Sequence, residues 1–415
     1  MITDTADCCG RWMANHVAVE KYWERIERFS RTQRQIDATL YLYDLPRQIV
    51  WDGLGRKPTE MNLSSAEIFK SNLKWIEYHL RPMEPRDSAA YTELMATSPE
   101  QGLITLQVVF KLDPYEMLMQ RRIGQIVVVA ETPKGKVVGA AAADWRPIWF
   151  EGQPVEAIHL HSLFVHPEYR QHGVATALVQ WRIKWAKEHY GENILVFAEI
   201  RQEDPASFRN ALKWATGFGQ PRESGFLRVF SSPPKSTPGV SVREAADADY
   251  STIVAGLNKS NEDVNFTRYV TLDRLHRNLE PIHGQVFRHR FVVLKDDEIV
   301  GGAVLSAHDP SVETRLIKAP FINKLIARAS GMIHSDNVIE GGEVDGIWFK
   351  PGYADTAHYL IDHLRYRAHT ETTALNFTVV NPKTWEALQV SHWQPHTILS
   401  VAYLRPAQLK HYVES

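Results

Sequence analysis

Two short stretches, one running into the other, hold the residue types that can do chemistry. The apolar run EAIHLHSLFV, residues 156–165, carries one carboxylate and two imidazoles. His159 and His161 are two apart, so on a strand they share a face. An imidazole titrates near neutral pH and can take a proton from a reacting amine. Glu156 stands towards the edge of the run, where a bound water can relay a proton to it. After Pro167 the turn Arg170-Gln171-His172-Gly173-Val174-Ala175 leads directly into a helical pattern that continues through Thr176. A helix N-terminus leaves its first N–H groups unpaired and carries a partial positive charge. Gly173 and the small Ala175 let a ligand approach the backbone, so several amides can converge on one anion such as a pyrophosphate. Arg170 either adds a charge-assisted contact or projects to solvent. Glycine is also common in a plain strand-to-helix turn, so the pattern gains its meaning from where it sits.

The elements that position these residues are those of a globular protein. The chain has 415 residues, 44% hydrophobic and 23% charged, with a formal net charge of -2. That length suits two or three domains. The balanced charge lacks the basic excess of a nucleic-acid-binding surface. No run is long and apolar enough to span a bilayer. MITDTADCCGRWMANH has no apolar signal core, and the only cysteines, Cys8 and Cys9, are adjacent. The expectation is a cytoplasmic protein with no disulfide framework, no metal site, no nucleic-acid partner and no membrane partner. Oligomeric state is not legible.

Residues 1–75 read as a helical extension. VAVEKYWERIERFSRTQRQIDATLYLYDL mixes charge with apolar residues at helical spacing, and NLSSAEIFKSNLKWIEYHL gives a second helix capped by Ser64 or Ser65. FSSPPKSTPGV, Phe230 to Val240, is a proline- and serine-rich linker that divides the remainder into two similar halves. These halves repeat each other. LRPMEPRDSAAYTELM and VREAADADYSTIVAGL each read as a strand, an acidic cap and an amphipathic helix. QIVVVAETPKGKVVGAAAADW and RFVVLKDDEIVGGAVLSAHD each read as two strands around a polar turn. IHLHSLFVHPEYRQHGVATALVQWRIKWA and EVDGIWFKPGYADTAHYLIDHLRYRA each read as strand, proline, loop and long helix. Both halves close on a strand, a helix and an apolar strand. Pairs in the same order predict a duplicated α/β domain with a mixed sheet.

The first half, residues 76–231, resembles the GNAT (Gcn5-related N-acetyltransferase) superfamily. The residues that carry the resemblance are LRPMEPRDSAAYTEL for the first strand and helix, VVGAAAADW for the third strand, and LFVHPEYRQHGVATAL for the coenzyme motif. In the family that motif reads Arg/Gln-x-x-Gly-x-Gly/Ala. The resemblance implies acetyl-CoA as co-substrate. The backbone of Gln171, His172, Gly173, Val174, Ala175 and Thr176, with Arg170, then holds the pyrophosphate. Leu163, Phe164 and Val165 run beside the pantetheine arm in a split between two strands. The second half, residues 240–408, resembles the family in outline only. Pro351 matches Pro167, but GYADTAHYL is shorter and lacks the Arg-x-x-Gly-x-Ala pattern. It reads as a degenerate copy that does not bind coenzyme A. Tandem members with one worn half include the mycothiol synthases, the aminoglycoside-acetylating Eis proteins and the N-myristoyltransferases.

In several members a glutamate on the motif's strand, eleven positions before the first motif residue, acts as base. Counting back from Arg170 reaches His159, which is either that base or a packed strand residue. Glu156, acting through water, is the second candidate, and His161 stands behind both. Many members place a tyrosine acid before a Gly-Phe. Here Gly217-Phe218 is present, but the tyrosine position falls on Lys213, and Asp204 stands where an asparagine often starts the helix. The thiolate then leaves unassisted or uses another tyrosine. By the same count Glu343 and Asp345 replace His159 and His161 in the second half, either as strand residues or to select a cationic acceptor. The resemblance implies direct acetyl or acyl transfer from acetyl-CoA to a primary amine of a small molecule or peptide. The alternative is a non-catalytic acyl-CoA sensor.

Overall fold

The computed structural model describes residues 78–98, 105–121, 124–277, 288–306, 311–329, 331–379 and 396–413, with Asn381, Thr384, Trp385, Leu388 and Gln389. The expected helical extension and both cysteines lie outside these residues. In chain order the first half contains β1 (His79–Pro82), α1 (Ser88–Thr97), β2 (Thr105–Phe110), α2 (Pro114–Arg121), β3 (Gln125–Glu131), β4 (Val137–Phe150), β5 (Gln153–Val165), α3 (Val174–Tyr190), β6 (Leu195–Arg201), α4 (Pro205–Ala211), β7 (Gly217–Phe218) and β8 (Arg222–Arg228). The second contains β9 (Val240–Glu244), α5 (Tyr250–Asn261), α6 (Leu272–Arg277), β10 (Arg288–Lys295), β11 (Glu298–Ser306), β12 (Val312–Lys318), α7 (Phe321–Ala329), β13 (Val338–Ile339), β14 (Gly341–Phe349), α8 (Ala354–Arg367), β15 (Ala374–Val379) and β16 (His396–Leu404).

The duplication is visible in detail. Each half opens on a strand arginine that clasps the aspartate six residues on. Arg81 Nη1 lies 2.6 Å from Asp87, and Arg243 Nη1 2.5 Å from Asp249. In both halves that aspartate also accepts the backbone N–H three residues earlier, at 2.8 Å. Each half pairs its fourth major strand in parallel with the next for a few residues only. β5 follows β6 from Ala157 to Leu160, and β14 follows β15 from Gly341 to Val344. All four strands run on beyond the pairing, so each pair splays apart. Each splay begins beside a bulge. Ser162 (φ 51) stands five residues before Pro167, and Gly346 (φ 57) five before Pro351. The registers slip opposite them, at Ala140/Ala142 and Gly302/Val304.

The halves are nonetheless not closed separately. Among the described residues, thirteen strands form one sheet whose central order is β6-β16-β8-β15. β8, the last strand of the first half, lies against β15 of the second, β16, the last strand of the second half, lies against β6 of the first, and these two exchanged strands pair with each other from His396↔Gly225 to Leu399↔Arg222. Two further pairings cross between the halves. β2 pairs with β12. Residues 266–269 lie along β4, where Trp149 N donates to Thr267 O at 2.8 Å and Phe266 N to Trp149 O at 2.7 Å. The exchange thus covers the inner edges of β6 and β15, and the large sheet ends on β1 and β9. The described residues belong to one compact unit. No helix among the described residues is long and apolar enough to cross a membrane.

The sheet of the first half is buried on both faces. β4 is rich in alanine because α1 covers one face and α3 the other. At Gly139 a Cβ would stand 2.7 Å from Val174 Cγ1, so this glycine lets the first turn of α3 press onto β4. The exchange makes the halves interdependent. Chains 76–239 and 240–415, expressed together, are expected to copurify as a one-to-one complex. Either chain alone exposes an unpaired strand edge and is expected to aggregate. A soluble, cooperatively melting 76–239 fragment on its own would contradict this.

Candidate active site

The bulge at Ser162 decides which way β5 presents its side chains. Before it, Ile158 and Leu160 pack with Val179 of α3. His159 therefore faces the other way, stacked on Phe197 at 4.9 Å. Past it the parity reverses. Leu163 and Val165 pack with Val174 and Leu178 of α3, and Phe164 meets Tyr91 of α1 edge-on at 6.3 Å. An extra residue in a strand moves every later side chain to the opposite face. It also frees the backbone of residues 163–165 from β6, which leaves that stretch lining the splay.

Arg182 spans this irregularity. It occupies a core position of α3, in the buried row Val174, Leu178, Arg182 and Ala186, and is 2% exposed. Its guanidinium donates to Ala142 O at 2.6 Å and His161 O at 3.1 Å, on the two strands flanking the bulge, while Nε donates to Leu178 O at 3.2 Å. Burial pushes its pKa down to about 9, which leaves it a cation at pH 7. An arginine inside an apolar helix stripe is the sequence signal for this residue, and composition and motif scanning pass over it.

The turn beyond β5 is shaped for an anion. Pro167–Tyr169 forms one 3-10 turn. Gln171 (φ 64) and Gly173 (φ 81) are both left-handed, and α3 begins at Val174. Alternating handedness turns successive amides into one concavity, and the first-turn amides of Val174, Ala175 and Thr176 have no carbonyl one turn back. A Cβ on Gly173 would meet nothing within 4 Å, so glycine is needed here for its backbone angle and the space above it is open. Arg170 Nε reaches back to Val165 O at 3.1 Å, and His172 Nδ1 lies 2.7 Å from Arg170 O. Thr176 Oγ1 donates to Asn210 Oδ1 at 3.2 Å, and Lys213 Nζ is 3.4 Å from Thr176 Oγ1. Lys213, at the position expected for a tyrosine, thus hangs a cation over the helix N-terminus. Asp204 caps α4 instead of facing the turn, accepting from Ala206 N at 3.0 Å and Ser207 N at 3.1 Å. In the second half α8 starts three residues after Pro351, where α3 starts seven after Pro167, so that copy lacks the segment that makes the concavity.

Residues 90–213 match the acetyltransferase (GNAT) family model. The chain carries a GNAT-family domain. No curated protein matches it in sequence. In fold it is similar to Saccharomyces cerevisiae N-myristoyltransferase solved with myristoyl-CoA and inhibitors: 9% identity, 88% of this chain and 86% of that one, TM-score 0.54. It is also similar to a GCN5-related glucosamine N-acetyltransferase region of a fungal multi-domain GH3 β-N-acetylglucosaminidase, with 12% identity over 79% of this chain and 38% of that one, TM-score 0.51. A GCN5-related N-acetyltransferase from Sphaerobacter thermophilus matches at 16% identity, 79% of this chain and 96% of that one, with TM-score 0.49.

The GNAT domain places its candidate proton acceptors on the face opposite α3. Asp144 lies directly across from His159 in the β4–β5 register. Arg146 holds both its oxygens, Nε to Oδ2 at 2.8 Å and Nη2 to Oδ1 at 2.7 Å. His161 Nε2 is 3.0 Å from Asp144 Oδ1, and His161 Nδ1 is 2.9 Å from Ser162 Oγ. His159 Nδ1 is 3.5 Å from the same Oδ1, too long for a hydrogen bond, and this buried nitrogen has no partner. Burial resists ionisation of Asp144. The facing imidazoles and the Arg146 guanidinium outweigh it and keep its pKa well below the usual carboxylate range. Burial, reinforced by Arg146, brings His159 down to about 3. The ligand atoms of Asp144, His159 and His161 lie within 4.8 Å of one another, as in a metal site. Arg146 on both carboxylate oxygens opposes a cation there, so the cluster is suited to hydrogen bonding and proton transfer. Glu156 is elsewhere. It pairs with Lys410 at 2.8 Å and stands seven residues from Leu163, about 23 Å along the strand.

Residues of the second half roof this face. Phe266, left-handed (φ 66) and 3% exposed, packs on Phe150 and Phe197 with centroids at 5.2 and 5.6 Å. Its carbonyl accepts Arg222 Nη2 at 2.6 Å, and Arg222 also pairs with Glu199 beside the histidines. Burial opposes the Glu199 charge, but Arg222 overcomes it and lowers its pKa.

The neutral His159 has a consequence for acid stability. Above pH 6.5 it is uncharged folded or unfolded. Between 6.5 and its native value the unfolded chain binds a proton that the native chain refuses, so stability falls as pH falls, by at most about 1.4 kcal/mol per pH unit. Urea unfolding from pH 6.5 to 4.5 is expected to show a shallower decline in His159→Gln than in wild type. Parallel curves would count against a buried neutral imidazole.

Proposed function

We propose that the first half, residues 76–231, transfers an acyl group from acyl-CoA, acetyl-CoA in the simplest case, to a primary amine in a direct ternary complex. The observation that carries this reading is the continuity of one path. The splayed, bulged end of β5 leads without a break into the left-handed Gln171–Gly173 turn at the N-terminus of α3. The pantetheine arm pairs with the backbone of Leu163, Phe164 and Val165. The pyrophosphate rests on the amides of residues 171–176, with Arg170 and Lys213 adding positive charge. A backbone N–H just past the bulge faces the thioester oxygen as it becomes an oxyanion. Of the two base candidates from the sequence, His159 lies nearer the splay than Glu156, but an imidazole with pKa about 3 is a weak proton acceptor. The second half, residues 240–408, binds no coenzyme and serves the acceptor side through the roof at Phe266. The acceptor is a small-molecule or peptide amine.

A second reading, an acyl-CoA sensor without turnover, draws support from Lys213 standing in the place of a phenolic acid and from the low pKa of His159. One pair of measurements separates the two. Acetyl-CoA at about a hundred times its Kd stabilises by about 2.7 kcal/mol and should raise the melting temperature by a few degrees. Gly173→Asp puts a strained carboxylate against the phosphates and should weaken binding about a hundredfold, abolishing the shift. Thiol release with a panel of primary amines then identifies the transferase, and a shift without release identifies the sensor. No shift in the wild type would sink both.

A further inference from the structure

The polar face of β5 holds more than a pair of histidines. Its atoms form an ordered chain from Asp144 Oδ1 to His161 Nε2 at 3.0 Å, then from His161 Nδ1 to Ser162 Oγ at 2.9 Å. Asp144 is ionised and can only accept, so His161 carries its proton on Nε2 and donates to the carboxylate. That leaves Nδ1 with a lone pair, which accepts the Ser162 hydroxyl. A hydroxyl on a base, and the base oriented by a buried carboxylate, is the arrangement that activates oxygen or nitrogen nucleophiles. The chain ends at the apex of the splay, since β5 leaves β6 after Leu160. Its last residue is held at φ 51, a conformation that costs a non-glycine residue free energy and marks sites where the backbone serves a function. The other groups facing the chain are Arg146 from β4, His159 from β5, Glu199 from β6 and Arg222 from β8, and Tyr190 at the end of α3 feels the Asp144 charge from the α3 side of the sheet. Arg146 is committed to Asp144 and Arg222 to Glu199, so the charges are matched in pairs around the imidazole.

From this geometry we infer that Ser162, His161 and Asp144 form the proton relay of the acyl transfer, with His161 as the base. The inference rests on the acyl-transfer reading. The amine nitrogen attacks the thioester carbon, and the C–S pair leaves with the coenzyme thiolate. The proton shed by the new ammonium passes to Ser162 Oγ as the serine's own proton passes to His161 Nδ1. Asp144 stabilises the resulting imidazolium through Nε2–H. The imidazolium returns its proton to the departing thiolate or to water. Ser162 forms no covalent bond.

Ser162→Gly separates this role from a structural one. Glycine suits the left-handed angle, so the variant should melt no lower than wild type, yet kcat should fall at least about thirtyfold while the acetyl-CoA Kd stays within about threefold. Asp144→Asn should move the acid limb of the kcat/KM profile to lower pH, because the imidazolium loses its counter-charge. His159→Gln should leave that limb in place. Nitrogen-15 spectra of the unliganded wild type should show His161 as the Nε2–H tautomer. A Ser162→Gly variant with turnover within about threefold of wild type, an Nδ1–H tautomer, or an acyl group recovered on the Ser162 peptide after incubation with acetyl-CoA would each overturn the relay. Failure of the wild type to bind acetyl-CoA overturns the acyl-transfer reading instead, and the tautomer still reports on the hydrogen-bonded chain.

Discussion

The extra residue in β5 is the constraint on which the first half depends. A strand that kept its register past Leu160 would stay paired with β6 and leave no cleft. It would also keep the side chain of residue 163 on the histidine face. The bulge breaks both conditions at one point. Its cost is a left-handed serine and backbone carbonyls drawn away from a regular ladder, and Arg182 meets the second of these by donating to carbonyls on both strands. A buried guanidinium with no carboxylate partner is unfavourable unless its donors are satisfied. Here the helix and the irregular ladder need each other, so α3, the bulge and the turn before α3 form one mechanical unit.

The second half repeats the scaffold and omits the grip. It keeps the Arg–Asp clasp, the parallel pairing, the bulge and the splay. Only Gly352 and Tyr353 separate its proline from its helix, so it lacks a counterpart of the left-handed pair Gln171 and Gly173 and of the concavity between them. Trp348, fully buried on the strand just past that bulge, packs with Tyr250, Ile253 and Leu257. A half of this kind persists for the edges it covers. Each half lends its last strand to the other, and residues 266–269 close the face on which the histidines lie. None of these pairings depends on the turn that precedes the helix of either half.

Charge on that face is arranged for a dry environment. Asp144 with Arg146 and Glu199 with Arg222 place two matched pairs around two imidazoles. In a low-dielectric interior an unmatched charge is costly, whereas a matched, hydrogen-bonded pair holds a fixed field. The two histidines differ because of contacts, not type. His159 stacks on Phe197 with its Nδ1 unpartnered, while His161 is held at both nitrogens.

The sequence alone determined the α/β class, the duplication and the turn at Gly173, because each is written in local periodicity or in a backbone angle that glycine serves. It showed the shorter turn of the second half, because a difference in turn length is local as well. It also placed His159 and His161 on one face, since alternation is a property of the strand. Only the tertiary structure decided how those two differ, because that depends on Asp144 and Arg146 across the ladder and on Ser162 at a register slip that no spacing within one strand reveals. The exchange of β8 and β16 was likewise invisible. Either partner satisfies the same hydrogen bonds, and local pattern carries no term for which half supplies them. Arg182 was legible in principle, as a charge in a row of apolar positions, but its meaning lies in two carbonyls contributed by β4 and β5.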